Sequence, residues 1–333
     1  MIKELLKKIL PKQVVSYIQE YKFKRRVLKA FKYDAKIYID SSDRSKSYSE
    51  NTLIGKIIRK YHVVEKGLTM PERRLGFGTK IIISLCNQCV EYIKNYSSNN
   101  CQLKHAIGVL MEYKKLHEVN NFQLDDEVIT KLEEIEKYQL NDATEQISIT
   151  NKEYFSKKSS DFKSFSNSRK SIRNYSNTPV SIAKIHNSLE LATNTPSACN
   201  RQAWRTYMFS DKEVMKNILK VQGGNRGFGH LADKLIVITA EVGLFYNAAE
   251  RNQAFIDGGI YAMNLLYSLH YNEIGACILN CSFTPEKDQQ LRSLVGIKPS
   301  EVFIAMIVCG NLPEKFLFPI SKRYSIDITH SDR

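Results

Sequence analysis

The stretch Leu235-Ile236-Val237-Ile238-Thr239-Ala240 limits most what this chain can fold into. It is apolar and β-branched, with no polar alternation, so it reads as a buried strand. It is too short for the roughly 18–20 apolar residues that a membrane-spanning helix needs, and no other run approaches that length. Its surroundings continue the theme. Strands are expected at 204–209, 234–240 and 303–309, the last ended by Gly310-Asn311-Leu312-Pro313, and helices at 180–192 and 254–270. Strands and helices that interleave in this way argue an α+β or mixed α/β sandwich.

Upstream the texture is different. Ile82, Leu85, Cys86, Cys89, Val90 and Ile93 recur at steps of three and four, as one stripe of a helix does. Leu103, Ala106, Ile107, Leu110 and Tyr113 repeat the pattern beyond the polar run Ser97-Ser98-Asn99-Asn100, which predicts an antiparallel helix pair. A third helix is expected at 125–138. Residues 2–33 read as one or two basic helices interrupted at Pro11. Ile2, Leu5, Leu6, Ile9 and Leu10 share one face there, suited to a membrane surface or to packing on the protein. Polar, serine-rich stretches at 40–49 and 141–166 read as linkers. The expected layout is therefore a basic segment 1–45, a helical region 46–140, a linker 141–166 and a second domain 167–333.

Composition narrows the function classes. The length of 333 residues suits two domains and a core that needs no disulfide staples. The seven cysteines are odd in number and mostly in apolar settings, as expected of reduced thiols in a cytoplasmic protein. Lys7 and Lys8 interrupt the first apolar run and Pro11 follows, so no export signal is expected. The net charge is +14, with Lys22, Lys24, Arg25, Arg26, Lys29 and Lys32 close together. Such a cluster suits a solvated helix face, an anionic membrane or an acidic ligand. Nucleic acid is not expected, because no zinc pattern, RNP-like motif or basic zipper occurs.

Two basic, hydroxyl-bearing clusters bracket the second domain. In Ser168-Arg169-Lys170-Ser171-Ile172-Arg173, alternate residues Arg169, Ser171 and Arg173 would point one way if the segment is extended. Arginine forks suit phosphate oxygens. Ser321-Lys322-Arg323 forms the second cluster. Between them, Pro196-Ser197-Ala198-Cys199-Asn200-Arg201-Gln202-Ala203-Trp204 offers polar groups for a heterocycle or sugar-like chain, or is an ordinary loop with Trp204 anchoring the core.

In these residues the chain resembles the nitroreductase family. Arg169-Lys170-Ser171-Ile172-Arg173 is similar to its Arg-x-Ser-x-Arg opening, and Pro196 to Trp204 to its Pro-Ser-x-x-Asn-x-Gln-Pro-Trp segment. Asp257-Gly258-Gly259 with Asn264 and Leu265 resembles the helix of the family's dimer core, and Ile274-Gly275-Ala276-Cys277 its Gly-Leu-Gly turn. The resemblance spans residues 168 to about 328. It implies a nitroreductase-like α+β fold, a mixed central sheet flanked by helices, behind an all-helical N-terminal region. It implies an FMN-dependent oxidoreductase that uses NAD(P)H, with FMN at the interface of a homodimer and a small-molecule acceptor. Arg169, Ser171 and Arg173 would hold the phosphate, ribityl chain and pyrimidine edge, and Arg323 with Lys322 would complete the phosphate site. Pro196, Ser197 and Asn200 would reach the flavin from the other subunit. Leu279 and Asn280 would bring backbone near N5, and Arg226 would reach the pyrimidine carbonyl. No catalytic acid, base, nucleophile or metal ligand is assigned, since the cofactor carries the chemistry. Ala203, Ala198 and Cys281 depart from the family's usual residues, which bears on substrate preference more than on FMN. Two alternatives stand beside this reading. One is a flavoenzyme for a specific biosynthetic intermediate, such as a surface-polysaccharide sugar. The other is a non-catalytic dimerising scaffold whose basic N-terminus docks on a membrane or partner.

Two further signals are expected to be structural. Cys86-Asn87-Gln88-Cys89 lies inside a helical stripe and reads as core rather than redox or zinc chemistry. Tyr61-His62-Val63-Val64-Glu65-Lys66-Gly67, followed by Arg73-Arg74-Leu75-Gly76-Phe77-Gly78-Thr79, suits a structural turn, with a second anion site as the alternative. This segment is also similar to N-terminal extensions of some nitroreductase-like proteins in surface-polysaccharide clusters.

Overall fold

A computed structural model describes residues 11–42, 49–140 and 145–333. Helix α1 (Lys12–Ser41) starts directly after Pro11, whose fixed φ and missing N–H suit a helix entry rather than a helix interior. It continues as a single helix past residue 33, into the stretch expected as linker; Ile2, Leu5, Leu6, Ile9 and Leu10 lie outside the described residues. None of its residues is buried. It docks through a bidentate pair, in which Arg251 Nε and Nη2 each donate to Asp34 at 2.6 Å.

Helices α2 (Glu50–Leu68), α3 (Thr79–Asn95), α4 (Cys101–Val119) and α5 (Asp126–Glu136) surround one apolar core. The stripes read from sequence form it: Ile82, Leu85, Leu103, Ile107 and Leu110 are fully or almost fully buried, together with Leu53 and Ile57 of α2. Each such side chain contributes roughly 1.5–3 kcal/mol on burial. Ser49 opens α2 with a reciprocal capping box through Thr52, and Asn100 caps α4. Cys86 and Cys89 sit in this core, and burial pushes the Cys86 thiol up to about 12. They are packing residues. The 73–79 segment is a structural turn: Gly76 and Gly78 have φ of +69° and +76°, and the Gly76 N–H donates to His117 Nε2 at 2.9 Å. Phe77 fills the space where Gly67 lacks a side chain; a Cβ there would stand 2.1 Å from the ring.

The stretch 145–166 is not a bare linker. Strand β1 (Ile147–Thr150) pairs antiparallel with the C-terminal strand β6 (Lys315–Phe318), and short helices α6 (Asn151–Tyr154) and α7 (Phe162–Ser168) follow β1. Tyr154 and Phe155 are buried. The polar composition of this stretch hid an Ile-Ser-Ile-Thr alternation, which is a strand pattern.

The main sheet has four strands, β2 (Trp204–Phe209), β3 (Lys234–Glu241), β4 (Gly275–Asn280) and β5 (Glu301–Gly310), in the order β2-β3-β5-β4. Helices α8 (Ile182–Ala192) and α10 (Gln253–Tyr271) cover one face; α9 (Lys212–Gln222) and α11 (Pro285–Val295) cover the other. Successive side chains of β3 serve opposite layers: Ile236 and Ile238 join Ile185 and Leu265, while Leu235 and Val237 join Met215 and Leu291. Burial on both faces explains the unbroken apolar run. The expected mixed sheet is antiparallel at every pairing. Strands β3 and β4 do run the same way, since each is antiparallel to β5. However, β5 inserts between them, so no parallel ladder forms.

Candidate functional site

Strand β4 is a sheet edge, and the 169–173 segment lies along it, with the Ile172 N–H donating to the Ala276 carbonyl at 3.0 Å. Ile172 is fully buried, which pins the segment, and the Tyr154 hydroxyl bonds both the carbonyl and the amide of Lys170, at 3.0 and 3.1 Å. Held this way, Arg169, Lys170, Ser171 and Arg173 line a cavity of about 630 Å³. Pro319 to Tyr324 lines the same cavity, so Lys322 and Arg323 come together with the first cluster across about 150 residues of chain. The opposite wall belongs to the helical half: Ile58, Tyr61, His62 and Glu65 of α2 and Gln102 of α4.

The electrostatics of this cavity are one-sided. Five cationic side chains line it against the single carboxylate of Glu65. Burial, then the charges of Arg169 and Arg323, hold the Lys170 ammonium below its ordinary range. Lys66, next to Glu65 in sequence, is lowered by burial and then by Arg173. Arg173 is only 7% exposed, with its guanidinium 5.8 Å from the Phe228 ring centroid. Its Nε and Nη1 have no hydrogen-bond partner, and neither has Arg169 Nε. Buried donors without partners are costly, so natural proteins seldom leave them so outside sites that bind something. An anion with several acceptor oxygens fits this donor set.

Glu65 is fully buried. Burial works to raise its pKa, but hydrogen bonds outweigh that and hold the carboxyl below its ordinary value. His105 Nε2 donates to Glu65 Oε1 at 2.7 Å and the Ser321 N–H donates to the same oxygen at 3.3 Å. His62 Nδ1 stands 3.8 Å from Oε2.

The remaining expected residues lie elsewhere. Pro196, Ser197 and Asn200 sit on a loop whose Ala198 N–H donates to the buried Asp257 carboxylate at 3.2 Å, and they do not line the cavity. That loop is strained: Cys199, Asn200 and Gln202 have φ of +53°, +54° and +49°. Trp204 stacks on Tyr261 with centroids 4.8 Å apart, anchoring the core. Leu279 is buried in the core, whereas its neighbour Ile278 faces the cavity. The Asn280 carbonyl accepts from Gln222 Nε2 at 3.1 Å. Arg226 is not brought to the site. It is exposed and lines a separate cavity of about 840 Å³ with Lys212, Lys216 and His230. The helix α9 ends at Gln222, and the glycine-rich loop after it turns away. Sequence reasoning missed Gln102 and Ile278 as wall residues; Tyr61, His62 and Glu65 fall in a segment expected to be a structural turn or a second anion site, whereas they stand on helix α2.

Comparison with known proteins matches this half of the chain. The sequence model of the nitroreductase family matches residues 167–311. A protein of Archaeoglobus fulgidus, provisionally named NADH dehydrogenase/NAD(P)H nitroreductase, is 27% identical over 170 residues, covering 50% of this chain and 94% of that one. Among solved structures, an FMN-dependent nitroreductase from Clostridium difficile R20291 is 22% identical, covering 51% of this chain and 98% of its own, with a TM-score of 0.43. A provisionally named NADH oxidase from Clostridium acetobutylicum is 24% identical, covering 51% and 99%, with a TM-score of 0.45. Residues 167–311 form a nitroreductase-family domain.

Proposed function

We propose that the chain is an FMN-dependent oxidoreductase of the nitroreductase type that takes electrons from NAD(P)H and passes them to a small-molecule acceptor. One observation carries the reading: Arg173 is buried with unpartnered donors, beside Arg169, Ser171, Lys322 and Arg323 around one cavity. A phosphate dianion would meet Arg169, Ser171, Lys322 and Arg323, and Arg173 would offer a fixed positive charge to the flavin ring edge. Bound FMN would supply the two-electron chemistry; the protein's part is to hold and orient it. The family match and the relatives' printed names support a flavin-dependent oxidoreductase.

The reading includes a homodimer with FMN at its interface. Two features support it. The loop with Pro196, Ser197 and Asn200 is strained and tied to α10, yet away from the cavity of its own chain. Helix α10 also leaves Phe255, Ile256 and Ile260 exposed, an apolar face suited to a second copy. Among the described residues no helix is long and apolar enough to cross a membrane.

The test is the visible absorption spectrum of the purified protein, with chromatography of any released cofactor. A flavin spectrum with FMN near one per chain, weakened by Arg169→Ala and by Arg323→Ala, is expected. A colourless protein that takes up no added FMN would overturn the reading.

A further inference from the structure

The turn that carries Arg323 is held in part by the helical domain. Ser321 has φ of +52°, a left-handed conformation that is unfavourable for a non-glycine residue and persists only where neighbours enforce it. The neighbours here come from α2 and α4. The Ser321 N–H donates to Glu65 at 3.3 Å, and Gln102 Nε2 donates to the Lys322 carbonyl at 3.3 Å. Both side chains are themselves fixed. Glu65 is 0% and Gln102 2% exposed. Glu65 accepts from His105 at 2.7 Å, and Gln102 accepts from the Tyr61 hydroxyl. Arg323 Nη1 then closes the turn on the Ser321 carbonyl at 3.0 Å.

We propose that Glu65 and Gln102 are positioning residues for the anion end of the cofactor cavity, which makes the helical domain part of the flavin site. They fix the turn 321–323 so that Lys322 and Arg323 face Arg169 and Ser171 across the cavity. The inference rests on the FMN reading for the identity of the anion. It assigns the helical half a task in this site, namely to organise the phosphate contact from a distance of more than two hundred residues in sequence.

The experiment titrates the full-length apoprotein with FMN and, separately, with riboflavin, following quenching of flavin fluorescence. Riboflavin lacks only the phosphate, so a defect confined to the anion end affects FMN alone. Gln102→Met keeps the side-chain volume and removes the donor to Lys322. Glu65→Ala removes the acceptor for Ser321, and Glu65→Gln restores an acceptor oxygen. Gln102→Met and Glu65→Ala are each expected to weaken FMN binding about tenfold, with riboflavin affinity unchanged and Glu65→Gln recovering most of the loss. Equal losses for both flavins, or undiminished FMN affinity in the folded variants, would overturn the proposal. If the unaltered protein binds neither flavin, the cofactor reading fails, and hydrogen exchange at residues 321–323 judges the positioning by itself. Faster exchange in Gln102→Met sustains it, and unchanged exchange removes it.

Discussion

Replacing Arg173 with methionine should make the cofactor-free protein more stable and the loaded protein worse at its task. Arg173 is 7% exposed, and its Nε and Nη1 lack partners. Each unsatisfied buried donor costs about 1–3 kcal/mol, and removing a buried charge in favour of a well-packed apolar side chain is often stabilising by about 1–4 kcal/mol. Methionine has nearly the length of the arginine stem and can still rest against Phe228, so little packing is lost. A net gain of about 1–3 kcal/mol is expected for the apoprotein, a rise of several degrees in Tm at ~2–4 °C per kcal/mol. FMN works against this gain. Losing a charge-assisted hydrogen bond worth about 1.5–3 kcal/mol weakens binding roughly 10- to 100-fold. At a concentration of 100 Kd the unaltered protein gains about 2.7 kcal/mol from ligand, of which the variant forgoes about 1.3–2.3 kcal/mol. Differential scanning fluorimetry of both proteins, with and without FMN, reads the higher apoprotein Tm and the smaller FMN-induced rise of the variant directly. An Arg173→Met apoprotein that melts below the unaltered one, or that binds FMN as tightly, would refute the reasoning.

Further outcomes follow from other parts of the fold. His270 is pushed down to about 4 by burial and then by the Arg169 charge. The unfolded chain therefore binds the extra proton first, and stability contributed by the neutral ring is intact above about 6.5 and lost as pH falls toward 4; His270→Gln should flatten that part of a Tm-against-pH curve, and an unaltered slope would refute the assignment. Gly67→Ala places a methyl 2.1 Å from the Phe77 ring and should cost about 1–3 kcal/mol in urea unfolding, with Phe77→Leu in the same background recovering part of it; a neutral Gly67→Ala would show that the turn does not lock α2 to α3. Cys199 is exposed whereas Cys86, Cys89, Cys277 and Cys309 are buried, so a thiol reagent should label Cys199 quickly and those four only on unfolding. Fast labelling of Cys86 or Cys89 would contradict their place in the core.

What could be read from the sequence followed burial. Strand β3 was legible because it is covered on both faces, leaving an unbroken β-branched run, and β5 for the same reason. Strand β4 was not, because its opening Gly275-Ala276-Cys277 has little strand propensity and was expected to be a turn. The basic clusters at 169–173 and 321–323 stood out as a pair and through the family resemblance, since a single basic surface cluster is common. Their shared cavity depends on tertiary contacts. Arg226 was misplaced because glycine-rich loops carry no signal of direction. The helical wall was hidden for a different reason. Glu65 meets Ser321 and Gln102 meets Lys322 across 256 and 220 residues, and neither residue type announces a partner so far away.

The central claim is a phosphate site between the helical domain and the nitroreductase-family domain. A crystal structure of the protein grown with FMN tests it most directly. The account predicts the phosphate within hydrogen-bond reach of Arg169, Ser171 and Arg323, the flavin ring beside Arg173, and the turn at Ser321 still held by Glu65. A cavity that stays empty at saturating FMN, or a phosphate bound away from these residues, would contradict it.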